Sequence, residues 1–133
     1  MEKNILLVED DTFLSSLLKT RLAKEGYDVM HAADGEAALE DLQKQKPDLV
    51  LMDLILPKKS GFEVMETMRS DPRLSKIPVI IISNLGQESD IKRGEELEAM
   101  AYFIKAKISI DVLVSEIMRF FKSQEEKAKE QNN

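Results

Sequence analysis

Leu49-Val50-Leu51-Met52-Asp53 is the stretch that decides the fold: four apolar residues in unbroken succession, then a carboxylate, then Leu54-Ile55-Leu56-Pro57. The apolar residues do not alternate with polar ones, so a strand made of them is buried on both faces, as in the middle of a parallel sheet. Three other stretches have the same form. Ile5-Leu6-Leu7-Val8 ends in Glu9-Asp10-Asp11, Val79-Ile80-Ile81-Ile82 ends in Ser83, and Tyr102-Phe103-Ile104 ends in Lys105. Ligands of open α/β sheets bind just beyond the carboxyl ends of the strands. One crevice would therefore collect several acids, a hydroxyl and an amine, a set suited to a divalent cation and a phosphoryl group.

Working outward, strands are expected near 4–8, 28–31, 49–53, 79–83 and 102–104, and helices near 12–25, 36–45, 61–70, 87–98 and 109–122. Leu14, Leu17, Leu18 and Leu22 make the apolar face of the first helix, and Gly26 is a plausible stop. The fourth helix is polar, contains Gly94 and has little to bury, so it is expected to be mobile. The last has the clearest stripe: Ile110, Leu113, Val114, Ile117, Met118 and Phe121. Five βα units in succession predict a three-layer (βα)5 flavodoxin-like α/β sandwich, with a parallel five-stranded sheet in the order 2-1-3-4-5. The domain is expected over 1–122. Residues 123–133 are expected to be a polar tail or the start of a linker, either a frayed helix end or disordered.

The 133 residues suffice for one core, and 43% hydrophobic with 33% charged residues describes a globular chain. A net charge of −6 and a pI near 4.9 argue against a nucleic-acid partner, which calls for a basic patch. With no cysteine, disulfides and thiolate zinc sites are excluded. No apolar run is long enough to span a membrane, and no signal peptide is recognisable at the start, so a cytoplasmic location is expected.

Glu9, Asp10 and Asp53 would repel one another if they met without a cation. Oxygen-only ligands point to Mg2+. Asp11 is read as an ordinary helix cap. Asp53 can be a turn residue after a strand, or a nucleophile that attacks phosphorus to give an acyl phosphate. In the second case Lys105 and Mg2+ neutralise charge, and Ser83 donates a hydrogen bond to a phosphoryl oxygen. Taken alone, Lys105 is a solvated lysine and Ser83 a loop hydroxyl; their places at the ends of successive strands give them weight. His31, at the end of the second strand, reads as a surface residue. The seven methionines read as packing.

Leu7-Val8-Glu9-Asp10-Asp11, Leu51 to Pro57 with Gly61, Ile77-Pro78 to Ser83, and Ala99 to Lys105 together resemble the receiver domains of two-component response regulators. The resemblance covers roughly residues 3–122. It implies that Asp53 is the phosphoacceptor, that Asp10 is a direct Mg2+ ligand and that Glu9 acts through water. The backbone carbonyl of Ile55 would be a further ligand. It also implies that Lys105 contacts the phosphoryl group, and that Ser83 and Tyr102 are the switch hydroxyl and aromatic. Tyr102 is expected half-buried with its hydroxyl in water. The implied partners are a histidine kinase or a histidine phosphotransfer protein and an unknown downstream protein. The chain would be a monomer or a weak dimer through the face of helix 4, strand 5 and helix 5.

Two departures from the family pattern carry expectations. Ala106 follows Lys105 where proline with a cis bond is usual, so a trans or strained Lys105-Ala106 bond is expected, a non-proline cis bond costing about 3 kcal/mol. Glu98-Ala99 replaces the usual Gly-Ala before the last strand. Ile55 and Leu85 fill the positions that influence hydrolysis, and neither can orient a water, which predicts a long-lived phosphate. The rival readings are a phosphorylation-independent interaction module and a small Mg2+ phosphatase. The phosphatase needs a second acid two residues after the nucleophile, where Ile55 stands.

Overall fold

The structure, a computed structural model, describes residues 2–131. Strands and helices alternate along the chain: β1 Asn4–Val8, α1 Thr12–Lys24, β2 Asp28–Ala32, α2 Gly35–Lys44, β3 Leu49–Met52, α3 Gly61–Ser70, β4 Val79–Ser83, α4 Glu88–Glu96, β5 Ala101–Ile104 and α5 Ile110–Gln131. A short 3-10 turn, Lys105–Lys107, joins β5 to α5. The strands form one parallel sheet in the order β2-β1-β3-β4-β5, as the apolar runs predict.

The sheet divides the core in two. Leu6, Val8, Val50, Met52, Val79 and Ile81 face α2 and α3, where Leu42, Phe62, Met65 and Met68 close over them. Their sequence neighbours Ile5, Leu7, Leu49, Leu51, Ile80 and Ile82 face α1 and α5, against Leu18, Leu22, Leu113, Ile117 and Phe121. Each such side chain, taken from water, contributes about 1.5–3 kcal/mol to folding before entropy is counted. Every residue of β1, β3 and β4 except Asn4 is buried, so these strands are the rigid part on which a site can be mounted.

The helices begin where local chemistry favours it. Asp11 caps α1, its Oδ1 accepting from the N–H groups of Phe13 and Leu14. Ser60 and Glu63 form a reciprocal capping box at α3. α4 is helical as expected, but only Gly94 of its nine residues is buried. Polar ties hold it instead. The Arg93 guanidinium pairs with Glu66 and lies 4.4 Å from the centroid of the Phe62 ring. Arg69, at the end of α3, donates to the carbonyls of Ser75 (3.1 Å), Ile77 (2.9 Å) and Leu97 (2.8 Å).

The polar stretch after Phe121, expected to be a frayed helix end or disordered, is helical through Gln131. It has no glycine or proline, and Glu, Lys, Gln and Ala propagate a helix once the docked part has nucleated it. Glu125 and Lys129 add a favourable i,i+4 spacing. Residues 132 and 133 of the expected tail lie outside the described residues.

The turn before β5 also differs from ordinary practice. Glu98, which replaces the glycine usual in the family, has φ = 62°. An L-residue there costs about 1–2 kcal/mol. The Ala99 N–H donates to the Gly94 carbonyl at 2.9 Å, and Arg69 to the Leu97 carbonyl, which together hold the turn. Among the described residues no helix is long and apolar enough to cross a membrane.

The strain at Glu98 makes a test. Glu98→Gly is expected to raise the urea-unfolding free energy by about 1 kcal/mol, the relief of the left-handed φ less the extra freedom of glycine when unfolded. An unchanged or lower value would show that the turn stores no strain.

Candidate functional site

Register brings the strand ends together. Val8 pairs with Met52 across β1 and β3, so Glu9 and Asp53 leave the sheet side by side. The Asp53 N–H donates to the Val8 carbonyl at 3.0 Å, and the Glu9 N–H to the Ala32 carbonyl at 3.0 Å. These bonds extend the ladder one residue and aim both carboxylates over the same edge. Gly61 lets the loop after β3 fold back: a Cβ there would lie 2.2 Å from the Asp53 carbonyl oxygen and 2.8 Å from the Leu54 Cα. Any side chain at Gly61 would displace the backbone that carries Asp53.

Glu9 is 2% exposed and Asp53 5%, while Asp10 faces solvent. The three carboxylates each offer an oxygen within 4.8 Å of the others. Lys105, reaching over from the end of β5, places its Nζ 2.7 Å from Glu9 Oε1 and 2.8 Å from Asp53 Oδ2. Burial alone would lower the Lys105 pKa, but the bonds to Asp53 and Glu9 outweigh it and hold the ammonium above its ordinary value. Burial pushes the Glu9 carboxyl above the usual range, against the opposing pull of Lys105.

Glu9, Asp10, Asp53 and Lys105, all named from sequence, therefore meet. Ile55, two residues beyond Asp53, is exposed, and its N–H donates to Asp53 Oδ1 at 3.3 Å. Ser83 is fully buried, and its Oγ accepts from the Leu85 N–H at 3.4 Å. Tyr102 is half-buried as expected, and its hydroxyl donates to the Leu85 carbonyl. Leu85 thus meets the hydroxyl of Ser83 through its N–H and that of Tyr102 through its C=O. The Tyr102 ring packs on Gly94, where a Cβ would lie 3.1 Å from the ring's Cδ2 and 3.0 Å from Ile81 Cδ1. Gly94, which in sequence reads as a weakness of α4, is the residue that admits the ring.

Two contacts near the site escaped the sequence reading. His31 is exposed as expected, yet its Nε2 lies 2.7 Å from the Glu9 carbonyl, an acceptor that requires the proton on Nε2. Asn84 Oδ1 accepts from the Ala106 N–H at 3.0 Å. A sequence signal did exist for this bond. Alanine in place of proline supplies an N–H, and an N–H in a turn needs a partner. No cis peptide occurs among the described residues, so Lys105-Ala106 is trans.

A family model of the response regulator receiver domain matches residues 5–118, and the chain belongs to that family. The chain is 40% identical over 104 residues to a probable transcriptional regulator, ycf27, of Cyanophora paradoxa, covering 78% of this chain and 42% of the relative. It is 38% identical over 105 residues to the alkaline phosphatase synthesis transcriptional regulatory protein PhoP of Bacillus subtilis, covering 79% and 43%. The chain thus spans less than half the length of these relatives. Among solved structures, the phosphorylated cyanobacterial phytochrome response regulator RcpA superposes with a TM-score of 0.84 at 33% identity, covering 93% of this chain and 96% of that one. The Mn(2+)-bound response regulator Rcp1 gives 0.81 at 34% identity, covering 90% and 94%. A CheY-like receiver domain of Methanospirillum hungatei gives 0.86 at 26%, covering 96% and 99%.

Two outcomes are expected from this geometry. The folded state binds the Glu9 proton more tightly than the unfolded chain does, so this group's contribution to stability falls as pH rises from the ordinary carboxylate range through its raised value. Glu9→Gln should therefore melt above wild type at neutral pH without divalent cations, with the gap closing as the pH is lowered; equal melting temperatures at neutral pH would refute the burial cost. Gly94→Ala should push the Tyr102 ring outward by a few tenths of an ångström and weaken its bond to Leu85, seen as a change in Tyr102 ring NMR shifts and solvent exposure. An unmoved ring would mean that Ile81 gives way instead.

Proposed function

We propose that the chain is a phosphoacceptor receiver of two-component signalling, phosphorylated on Asp53 with Mg2+ present. It signals by changing which protein it binds. The observation that carries this reading is the Lys105 ammonium held between Glu9 and Asp53, with Asp10 beside them at the solvent edge. A lysine that merely neutralised buried acids would not need an exposed third carboxylate.

The donor set fits the ion. Receiver domains bind Mg2+ at an acidic pocket, and here the pocket offers oxygen ligands only, with Asp10 open to the water that Mg2+ keeps around itself. Asp10, Asp53 and the Ile55 carbonyl would hold it directly, and Glu9 through water. When bound, the ion neutralises charge on the phosphoryl oxygens.

The chain's own residues do the rest. An Asp53 carboxylate oxygen attacks the phosphorus of a phosphohistidine on a histidine kinase or phosphotransfer protein. The new O–P bond forms as the P–N bond breaks, and its electron pair returns to the imidazole. Lys105, already in contact with Asp53, follows the charge onto the phosphoryl oxygens. Ser83 donates a hydrogen bond from its hydroxyl to one of them. Turning toward the phosphoryl group, Ser83 gives up a long bond from the Leu85 N–H, and Leu85 also holds the Tyr102 hydroxyl. Supporting this reading, a single loop residue links the two switch side chains, next to an α4 held mostly by polar ties. A change at Ser83 is thereby passed to the face of α4, β5 and α5.

An apolar hollow beside the site, lined in part by Phe13, Leu14, Ile108 and Leu113, supports a protein as the phosphoryl donor. Phe13 is 78% exposed at its rim. Residues 123–133 then belong to the segment after the receiver rather than to its core.

The test is uptake of a phosphoryl group from acetyl phosphate with Mg2+, followed by intact mass, with Asp53→Asn alongside. Wild type should gain one phosphoryl group and the variant none. No gain by folded wild-type protein would leave a non-switching interaction module. The apolar Ile55 and Leu85 predict slow loss of the phosphate, and Ile55→Asn, able to hold a water, should shorten its lifetime severalfold. A lifetime unaltered by that change would remove water orientation at this position as the cause.

A further inference from the structure

We infer that Asn84 is a positioning residue for Lys105, acting through the N–H of Ala106. The inference rests on the reading of Lys105 as the group that meets the phosphoryl oxygens. Lysine carries its charge on a long flexible stem, so where the ammonium sits depends on how well the backbone beneath it is held. Lys105 begins the 3-10 turn Lys105–Lys107, in which no residue is buried and whose preceding residue, Ile104, offers no capping side chain. Core packing resumes only at Ile108, beyond the turn, and does not hold residues 105–107 themselves.

On its near side Lys105 is fixed by the sheet, since Ile104 pairs with Ser83 across β5 and β4. On its far side the first tether is the 3.0 Å bond from the Ala106 N–H to Asn84 Oδ1, ahead of Ile108, which packs back against the core. Asn84 directly follows Ser83, so the tether springs from the same strand end that Ile104 pairs with. The two attachments bracket Lys105 and set the direction of its Cα–Cβ bond toward Glu9 and Asp53. Proline at 106 would have no N–H to give, so the arrangement belongs to chains with another residue there. Asn84 is itself exposed and adds nothing to the core, so its removal should leave the fold intact.

The test is a double-mutant cycle of Asn84→Ala and Ala106→Pro, read as the rate of phosphoryl uptake from acetyl phosphate with Mg2+. Asn84→Ala alone should slow uptake about threefold to tenfold, the span that one lost neutral hydrogen bond allows. In the Ala106→Pro background, where the N–H is already gone, the same change should alter the rate by less than about 1.5-fold, since no bond remains to lose. In Asn84→Ala the Ala106 amide should exchange faster with solvent and the Lys105 ε-methylene NMR signal should move, with the melting temperature unchanged. A wild-type rate in Asn84→Ala, or equal slowing in both backgrounds, overturns the inference. Should wild type itself take up no phosphoryl group, the reading of Asp53 fails. The Lys105 signal then still decides the positioning: movement in Asn84→Ala upholds it and a fixed signal overturns it.

Discussion

The ion pairs of Lys105 with Glu9 and Asp53 are the constraint on which the upper edge of this molecule depends. Two carboxylates almost without solvent are tolerable only with a cation against them, since an unpaired buried charge costs several kcal/mol, on the order of a large share of a small domain's stability. The three residues come from the ends of β1, β3 and β5. In the strand order, β4 lies between β3 and β5. The lysine must cross the end of β4 to reach its partners, and that end is a small, fully buried serine. The charge arrangement and the sheet order therefore support each other.

The two ways of holding an element seen here have different mechanical consequences. α1, α3 and α5 are held by apolar side chains that interdigitate with the sheet, and moving them would open a void. α4 buries only Gly94 and is tied by the arginines at positions 69 and 93 and by the Leu85–Tyr102 bond. Hydrogen bonds and ion pairs at a surface can be exchanged one for another at small net cost, so this is the element most easily displaced without loss of the core.

Much of this was legible in the sequence because a parallel sheet imposes an unusual pattern. Its central strands must be apolar throughout, which marks Val8, Met52 and Ile82 as the last apolar residues of their runs, and hence Glu9, Asp53 and Ser83 as residues at the crevice. What was not legible depended on partners chosen in three dimensions. Nothing local to His31 says that it meets the Glu9 carbonyl, and although alanine at 106 supplies an N–H in need of a partner, nothing local to Asn84 names it as that partner. Glycine at 94 read as a helix weakness because the ring that needs its space comes from β5. The extent of the helix past Phe121 was not legible for another reason. Lacking an apolar stripe, the segment looks unsupported, but elongation from an existing helix needs only good formers and no breaker.

The sheet is also a partition wall. Successive residues of β1, β3 and β4 face opposite chambers, with Val79 and Ile81 on one side and Ile80 and Ile82 on the other. A change of side-chain volume in one chamber is met by that chamber's own helices, and the close-packed strands between them leave little room for it to spread. The α1/α5 side, with its exposed Phe13, and the α3/α4 side, with its arginine ties, can then drift in sequence as two nearly independent compartments. They share only the row of residues along the top of the wall.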